Sequence, residues 1–548
     1  MCDGAGIVGW RSAQGPAWRC PKTASNVPLF ALPGAYHHAM NSAQNLDDDN
    51  ARYLALVARD ARFDGNFFTG VTSTGIYCRP VCRVRTPRRE NCRFFSQAAQ
   101  AEQAGFRPCL RCRPELAPHS IANAGAAPWA AWSMQDASSI LAAQAAALID
   151  QPEINTQTRL GVASLARQLG ISERHLRRIF EDRFGVPPLR YLQTRRLLAA
   201  KQLLSDTTLS MTEIARLSGF GSVRRFNAVF SSQYQLAPSQ LRKSGGPTKA
   251  IRLHPDITLQ LAYRPPYDVA AMLHFFATRA LAGCEVVRHD PTQPCVATTV
   301  RLHHLPQPCT GWLQAQFDSS ACRVRLTVSD GLRLVLPQVL RLVRAWLDLD
   351  ADPRVIHSTL HADFPAGQAL RLPGAPDGFA LAVRAILGQQ VTVAAARTLC
   401  QRLVTRFGEP VPTPIAGLDR LFPSPQQLAK IAPDALGQLG ITRQRQRALI
   451  GLAQAFCDAG LTLHPGADVP RTLAALQAIP GIGDWTAQYI AMRALAWPDA
   501  FPSGDVALQR ALGVQQATYP AKAALAASES WRPWRSYATV RAWASLSS

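Results

Sequence analysis

The spacing of apolar residues predicts helices in two stretches of the chain and strands between them. Between Leu160 and Arg242, and again from about Pro365 to the C-terminus, apolar residues recur at the spacing of amphipathic helices. After a Ser-Gly-Gly-Pro break at 244–247, the period changes to two. Apolar residues alternate with polar or small ones over 257–263 and 322–328, which predicts half-buried strands.

The length of 548 residues allows three or four domains, each with a core of its own. Residues 1–48 show no apolar period, and we expect a disordered extension, with Met40 as a candidate start. The pattern predicts a multidomain protein, mainly α with α+β modules. We place the four domains at 49–116, 135–244, 251–364 and 365–548.

The charge balance narrows the class of partner. Hydrophobic residues make up 47% of the chain and charged residues 18%, as in globular proteins, but the formal net charge is +22. Such a charge favours polyanions, either nucleic acid or an anionic membrane. Neither a run of about 18 apolar residues nor a secretory signal is readable, so we expect a cytoplasmic protein that does not bind membranes.

Four of the 13 cysteines form two short pairs in an arginine-rich stretch. They are Cys78, Cys82, Cys109 and Cys112. Two such pairs are the usual way for one chain to surround a zinc ion with four thiolates, so the spacing predicts one Zn²⁺. The site is either a closed structural centre or one in which a thiolate stays nucleophilic.

The residues around these cysteines resemble the zinc domain of the Ada regulators. The resemblance rests on four stretches, which are 59–65 (Arg-Asp-Ala-Arg-Phe-Asp-Gly), 74–82, 85–91 and 105–114. It implies that Cys78 accepts a methyl group from a DNA methylphosphotriester. The other three cysteines would be the remaining zinc ligands.

Two helix-turn-helix patterns occupy the first helical stretch. Ser172 and Ser222 are each placed to cap a second, recognition helix. The predicted outward, DNA-binding residues are Arg174, Arg177, Arg178, Arg224, Arg225 and Asn227. A helix from Pro188 links the units, and a plain helical bundle with solvated arginines is the alternative. The stretch 160–242 is similar to the AraC-type DNA-binding domain, which commonly follows the Ada zinc domain.

A tight Gly-Ile-Gly turn marks the second helical stretch. Gly481 and Gly483 let backbone amides approach a DNA phosphate, as in a helix-hairpin-helix. About 20 residues further on, Asp505 precedes an apolar helical run. Alone, the turn indicates nonspecific duplex binding, and the aspartate is either a helix N-cap or a functional carboxylate.

The C-terminal half resembles DNA-3-methyladenine glycosylase II of the AlkA type. The matching stretches are 261–268 (Leu-Ala-Tyr-Arg-Pro-Pro-Tyr-Asp), 371–374, 385–391 and 531–538. The resemblance implies a strand-rich N-terminal domain, an all-α glycosylase domain, and Asp505 as the catalytic carboxylate. The other implied residues are Trp485, Tyr489 and Trp534 for the base pocket and Leu372 for a wedge in the duplex.

Trp485 stands where lyase relatives carry a Schiff-base lysine, so we expect hydrolysis without lyase activity and without a cofactor. The combined expectation is a monomer that releases alkylated purines from double-stranded DNA, accepts a methyl group at Cys78, and activates transcription with RNA polymerase. The alternative is a methylation-sensing regulator whose glycosylase half only binds DNA.

Overall fold

In the computed structural model, the alternating apolar residues form neighbouring strands of one antiparallel sheet. The structure describes residues 49–119, 134–150, 161–245, 256–302 and 307–546, so the predicted extension 1–48 lies outside the described residues. Leu259 pairs with Leu326 across two strands, and both side chains are fully buried. A residue period of two thus puts one face of this sheet into a core.

The sheet module (256–302 and 307–364) contains one five-stranded sheet. Its elements are β5 Ile257–Ala262, α10 Val269–Ala277, β6 Glu285–Arg288, β7 Cys295–Leu302, β8 Cys309–Asp318, β9 Arg323–Val328, α11 Leu336–Trp346 and α12 Pro353–Leu360. The strand order is β5-β9-β8-β7-β6.

The cysteine module (49–119) is a small four-stranded sheet with two helices. Its elements are α1 Asp49–Val57, β1 Phe68–Val71, β2 Ile76–Cys78, β3 Cys92–Phe95, α2 Ala98–Gln103 and β4 Arg107–Pro108. The strand order is β3-β1-β2-β4, and β2 and β4 run parallel.

The helix-turn-helix module (134–150 and 161–245) contains the two predicted units. Its helices are α3 Met134–Asp150, α4 Val162–Gln168, α5 Glu173–Phe184, α6 Pro188–Asp206, α7 Met211–Leu217, α8 Val223–Tyr234 and α9 Pro238–Gly245. The hydroxyls of Ser172 and Ser222 accept hydrogen bonds from backbone N–H groups of α5 and α8, as predicted.

The hairpin module (365–546) is helical apart from one short strand pair. Its elements are α13 Gly378–Leu387, α14 Val393–Phe407, β10 Glu409–Pro410, β11 Arg420–Leu421, α15 Pro425–Leu428, α16 Pro433–Gly437, α17 Arg443–Cys457, α18 Val469–Gln477, α19 Asp484–Arg493, α20 Val506–Ala511, α21 Pro520–Ala527 and α22 Arg535–Ser545. No helix in the described part of the chain is long and apolar enough to cross a membrane.

The expectation that each domain has a core of its own is met only in part, because two apolar clusters cross module boundaries. Phe230 and Leu241 of the helix-turn-helix module are buried in the same apolar cluster as Leu259 of the sheet. Similarly, Ile356 and Leu360 on α12 are buried in the cluster of the hairpin module. Apolar faces of one module are therefore covered by the next, and the modules pack as one body.

A buried carboxylate joins the cysteine module to the helix-turn-helix module. Glu102, on α2, accepts hydrogen bonds from the hydroxyls of Tyr77 (3.0 Å), Thr194 (2.7 Å) and Tyr234 (3.2 Å). Burial raises the pKa of Glu102 to about 7, although the three hydroxyls act in the opposite direction. The folded protein therefore binds a proton here at a pH where an unfolded chain has lost it.

We predict that Glu102→Gln removes a pH-dependent loss of stability. The folded-state pKa lies above the unfolded value, so the protein loses stability as the pH rises from about 4.5 to about 7 and no further above that. At pH 8 the variant should unfold at a higher temperature than the wild type, and its free energy of unfolding should be larger by up to about 3 kcal/mol. At pH 5 both differences should be smaller. Thermal unfolding at both pH values measures this, and the exposed Glu90→Gln is the control. Equal differences at both pH values would contradict the prediction.

Candidate metal centre and catalytic pocket

The parallel pairing of β2 and β4 brings the two cysteine pairs together. Cys78 is the last residue of β2, and the backbone N–H of Cys109, just after β4, donates to the carbonyl of Tyr77 at 2.9 Å. The ligand atoms of the four cysteines lie within 4.8 Å of one another, and all four residues are buried. Four sulfurs around one zinc ion at about 2.3 Å would be about 3.8 Å apart, so this donor set fits tetrahedral Zn²⁺.

The residue that follows Cys78 is part of the support of this centre. The backbone N–H of Arg79 donates to the Sγ of Cys112 at 3.3 Å, and its guanidinium donates to the Cys112 carbonyl at 2.9 Å. The same guanidinium pairs with Asp64, and Arg79 is only 2% exposed. Arg79 therefore orients the thiolate loop and does not belong to the exposed arginines of this module.

Both recognition helices present their predicted residues to solvent. Arg174, Arg177 and Arg178 are exposed on α5. Arg224, Arg225 and Asn227 are exposed on α8. The linking helix α6 has 19 residues and therefore spans about 28 Å.

The hairpin turn lies at the start of α19. Gly481 has a φ of +96°, which only glycine adopts without strain, and Gly483 is the N-cap of α19 and is exposed. A Cβ added at Gly483 would meet nothing within 4 Å, so the backbone there is open to a close approach by another molecule. Gln389 donates to the carbonyl of Gly481 and to the hydroxyl of Thr486, both at 2.9 Å, which ties the end of α13 to the turn.

Asp505 is both a helix cap and the wall of a cavity. As the N-cap of α20, its Oδ1 accepts from the backbone N–H of Leu508 at 2.7 Å. The indole N–H of Trp485 donates to Oδ2 at 3.1 Å, and that of Trp543 donates to Oδ1 at 3.1 Å. The two interpretations of this carboxylate are therefore compatible, because the cap and the indoles hold it at the cavity.

The cavity has a volume of about 570 Å³ and is lined on one side by aromatic rings. Trp485 and Tyr489 are stacked, with ring centroids 5.5 Å apart and planes inclined by 13°. Trp543 lies 6.4 Å from Tyr489. Electron-rich rings beside a carboxylate suit a cationic or electron-poor flat ligand.

Trp534 is not in this cavity, which corrects the sequence-based assignment. It is 5% exposed, belongs to the core of the hairpin module, and packs edge-on against Tyr537 at 5.7 Å. Trp543, nine residues later on α22, has the predicted place beside Asp505. Both tryptophans are near the same helix, and their spacing carries no signal for which one faces the cavity.

Leu372 does not reach a DNA surface, which corrects the predicted wedge. It is 3% exposed in the core, and its backbone N–H donates to the Oδ2 of Asp348 at 3.0 Å. Exposed residues beside the cavity are instead found in the turn between α13 and α14 and at the start of α14. Gln390 there has a φ of +54°, and the side chains of Val391 and Val393 are 38% and 46% exposed.

Family models match all four modules. They are the metal binding domain of Ada over residues 51–115, a helix-turn-helix domain over 165–244, the AlkA N-terminal domain over 258–377, and the HhH-GPD superfamily of base excision DNA repair proteins over 383–536. A probable bifunctional transcriptional activator/DNA repair enzyme AlkA of Mycobacterium tuberculosis is 36% identical over 518 residues, which are 91% of this chain and 97% of that protein. The chain belongs to this bifunctional AlkA family.

Other relatives match one half each. DNA-3-methyladenine glycosylase 2 of Escherichia coli is 35% identical over 287 residues, covering 52% of this chain and 95% of that protein. The activator and repair enzyme AdaA of Bacillus subtilis is 30% identical over 209 residues, covering 38% of this chain and 88% of that protein. A solved 3-methyladenine DNA glycosylase of Archaeoglobus fulgidus covers 52% of this chain and 96% of its own, with 18% identity and a TM-score of 0.44.

These findings confirm the predicted combination. This member of the bifunctional AlkA family joins a DNA glycosylase to an Ada zinc-binding domain and an AraC-type regulator. It acts in DNA repair and in transcription activation, and its partner is DNA. The four cysteines are the residues that would hold the zinc ion of the Ada domain.

We predict that Trp543→Phe slows the release of an alkylated base about tenfold or more, because Asp505 loses one charge-assisted hydrogen bond. Trp543 is only half-buried, so the smaller ring should cost little stability. Single-turnover base release from alkylated DNA measures the rate.

Trp534→Phe is the matched control. We expect it to lower the thermal unfolding midpoint, because it leaves space in the core, while the release rate stays within about twofold of the wild type. If Trp534→Phe released the base slowly and Trp543→Phe released it at the wild-type rate, Trp534 would again be assigned to the base pocket.

Proposed function

We propose that this protein hydrolyses the glycosidic bond of purines alkylated at N3 or N7, and that Asp505 is the catalytic carboxylate. The observation that carries the proposal is its position at the cavity, fixed by the two indole N–H groups and by the N-terminus of α20. An alkylated purine is already cationic and leaves readily, so the site mainly has to hold a flipped nucleotide and to face the positive charge that develops on the sugar.

The residues present favour hydrolysis over lyase chemistry. The C1′–N bond breaks and its electron pair goes to the purine. The oxygen of a water molecule bonds to C1′, and that water molecule releases one proton to solvent. A lyase would instead need an amine to form a Schiff base. No lysine is among the described residues that line the cavity. The resemblance to the glycosylases implies that Trp485 occupies the hairpin position where lyase relatives carry a lysine.

We assign phosphate binding to the hairpin turn. We assign to the neighbouring turn, between α13 and α14, the role of filling the gap that the flipped nucleotide leaves in the duplex. The backbone at Gly483 is open to a phosphate at the start of α19, and Gly481 forms the turn that leads to it. Gln390 and Val391 are exposed beside the cavity, and Gln389 holds their turn against the hairpin. Partial insertion of this turn would hold the duplex open while the base is in the cavity.

The zinc module is proposed to take a methyl group at Cys78. A zinc ion held there would keep the thiols deprotonated at neutral pH. The sulfur–methyl bond forms as the methyl–oxygen bond of the phosphotriester breaks, which leaves a phosphodiester in DNA and a thioether on the protein. With Zn²⁺ bound by four thiolates, methylation would change the net charge of the centre from −2 to −1. Repulsion of DNA phosphate would then fall, which would give the regulator a switch.

Exposure alone does not select the acceptor, because the four cysteines are between 4% and 7% exposed. The assignment to Cys78 rests on the Ada resemblance and on its place at the end of β2.

We further propose RNA polymerase as the partner of the activator, a monomer as the functional unit, and the exposed residues of α5 and α8 as the promoter contacts. The cytoplasmic location stays a prediction.

We predict that Asp505→Asn lowers base release from alkylated DNA by at least about a hundredfold. Asparagine caps helices as well as aspartate does, so α20 and the unfolding midpoint should persist. Asp484→Asn is the matched control, because Asp484 is exposed at the start of α19 and does not line the cavity. Release by Asp505→Asn at the wild-type rate would mean that Asp505 is not the catalytic carboxylate. No release by the wild type would favour a regulator that only binds DNA.

We predict that the peptide containing Cys78 gains the mass of one methyl group after incubation with DNA that carries methylphosphotriesters. Mass spectrometry of the digested protein should find no such gain in Cys78→Ser, and an unchanged gain in Cys92→Ser, because Cys92 lies outside the thiolate cluster. A methyl group on Cys82, Cys109 or Cys112 instead would move the acceptor, and none at all would leave a closed structural centre.

A further inference from the structure

The cavity beside Asp505 has a direction that is set by one helix. Trp485, Tyr489 and Arg493 are four residues apart on α19 and therefore share a face. At a rise of about 1.5 Å per residue, Arg493 lies about 12 Å beyond Trp485. The hairpin turn and Asp505 are at the Trp485 end. A sugar held there places its base further in, toward Arg493.

The inner end of the cavity carries a buried guanidinium. Arg493 is 7% exposed and donates to the Oη of Tyr489 at 2.8 Å. Its other donors go to the carbonyls of Pro373 (2.8 Å) and Gly374 (2.9 Å). Its hydrogen bonds are thus satisfied by neutral oxygens, and its charge is not cancelled.

A second guanidinium lies in the same place. Arg279, just beyond α10, donates to the carbonyl of Phe275 at 3.2 Å and to the hydroxyl of Thr278 at 3.0 Å, and it lies 3.7 Å from the Phe275 ring centre. In the described part of the chain, no carboxylate is within salt-bridge distance of Arg279 or Arg493.

Two other arginines of the cavity wall are paired with carboxylates, and one aspartate caps a helix. Arg384 contacts Glu285 at 2.9 Å, and Arg301 contacts Glu409 at 2.8 Å. Asp377 caps α13 through the N–H of its third residue. Arg397 also lines the cavity but is exposed to solvent, which screens its charge. Apart from the capping Asp377, the buried or half-buried charges of the described residues that face each other across the cavity without an ionic partner are the carboxylate of Asp505 and the two guanidinium groups at the inner end.

Tyr489 reports the sign of the potential at the inner end. Burial raises the pKa of this phenol, but Arg493 and Arg279 outweigh burial, and the pKa lies below its ordinary value. The titration of Tyr489 adds a negative charge. The downward shift of the pKa of Tyr489 indicates a positive potential here, which stabilises any group that becomes more negative.

We propose that Arg279 and Arg493 impose a positive potential on the base which, opposite Asp505, drives the electron pair of the glycosidic bond onto the departing purine. This inference rests on the proposed glycosylase function and deepens it. When the C1′–N bond breaks, a cationic base changes from +1 to 0 and a neutral base from 0 to −1, while the sugar gains one positive charge. The potential therefore lowers the barrier for both kinds of base by similar amounts.

The two kinds of base differ before the reaction. A positive potential weakens the binding of a cationic base and leaves that of a neutral base nearly unchanged. For a cationic base, the guanidinium groups should raise both the maximal rate and the protein concentration that gives half of that rate. For a neutral base, they should raise the maximal rate alone. This pattern is the signature of destabilisation that is relieved in the transition state.

The test compares two duplexes of one sequence, carrying either 7-methylguanine, which is cationic, or hypoxanthine, which is neutral. Single-turnover release gives a maximal rate and a half-saturating protein concentration for the full-length wild type and for Arg279→Met. We expect the variant to lower both quantities about tenfold with 7-methylguanine, so that their ratio changes by less than about threefold. With hypoxanthine we expect only the rate to fall, about tenfold.

Four further variants separate charge from structure. Arg279→Lys keeps the charge and should return both quantities toward the wild type, and Arg493→Lys should do the same relative to Arg493→Met. Arg301→Met, which changes a paired arginine of the same wall, should not show the split. A rate that falls on both duplexes without a lower half-saturation on 7-methylguanine would mean that Arg279 only supports the fold, and would overturn the proposal. A wild type that releases neither base would instead refute the proposed function.

Discussion

The arrangement of the modules depends on one buried guanidinium, that of Arg264. This residue of the sheet module is fully buried and donates to the carbonyls of Asp64 (2.7 Å), His119 (2.9 Å) and Asp350 (2.5 Å). An arginine without a bonded carboxylate is costly to bury unless several acceptors surround it. The cysteine module supplies two of these carbonyls. Its position against the repair half is therefore fixed by the need to solvate this one charge.

The same network continues into the catalytic pocket. The carbonyl of Arg264 accepts a hydrogen bond from Arg371. The segment that follows Arg371 ends in the two carbonyls that hold Arg493, and Arg493 in turn holds Tyr489. On the other side, Asp64 pairs with Arg79 next to the thiolates. Hydrogen bonds and the short chain segments between them thus connect the thiolate cluster with the wall of the cavity.

Sequence reasoning found the features that short local patterns determine. The cysteine pairs, the caps at Ser172 and Ser222, and Asp505 all depend on a few adjacent residues, and the structure shows each in the expected local setting. It failed where tertiary packing decides. Trp534 and Trp543 differ only in the face that α22 turns to the cavity, and Leu372 is buried by segments far away in the chain. Arg493 was within reach, because its helical spacing from Trp485 puts it on the pocket face. It was missed because arginines in a basic DNA-binding protein suggest phosphate contacts.

The shared apolar cluster of α8, α9 and the five-stranded sheet has a consequence for how the molecule moves in the cell. A regulator and a repair enzyme joined by a loose tether could search separately, one resting on a promoter while the other inspects nearby base pairs. Here Phe230 and Leu241 bury their side chains with strand residues, so the two halves diffuse together. A molecule bound at a promoter is not free to search for lesions elsewhere, so transcription activation and repair compete for the same pool of molecules.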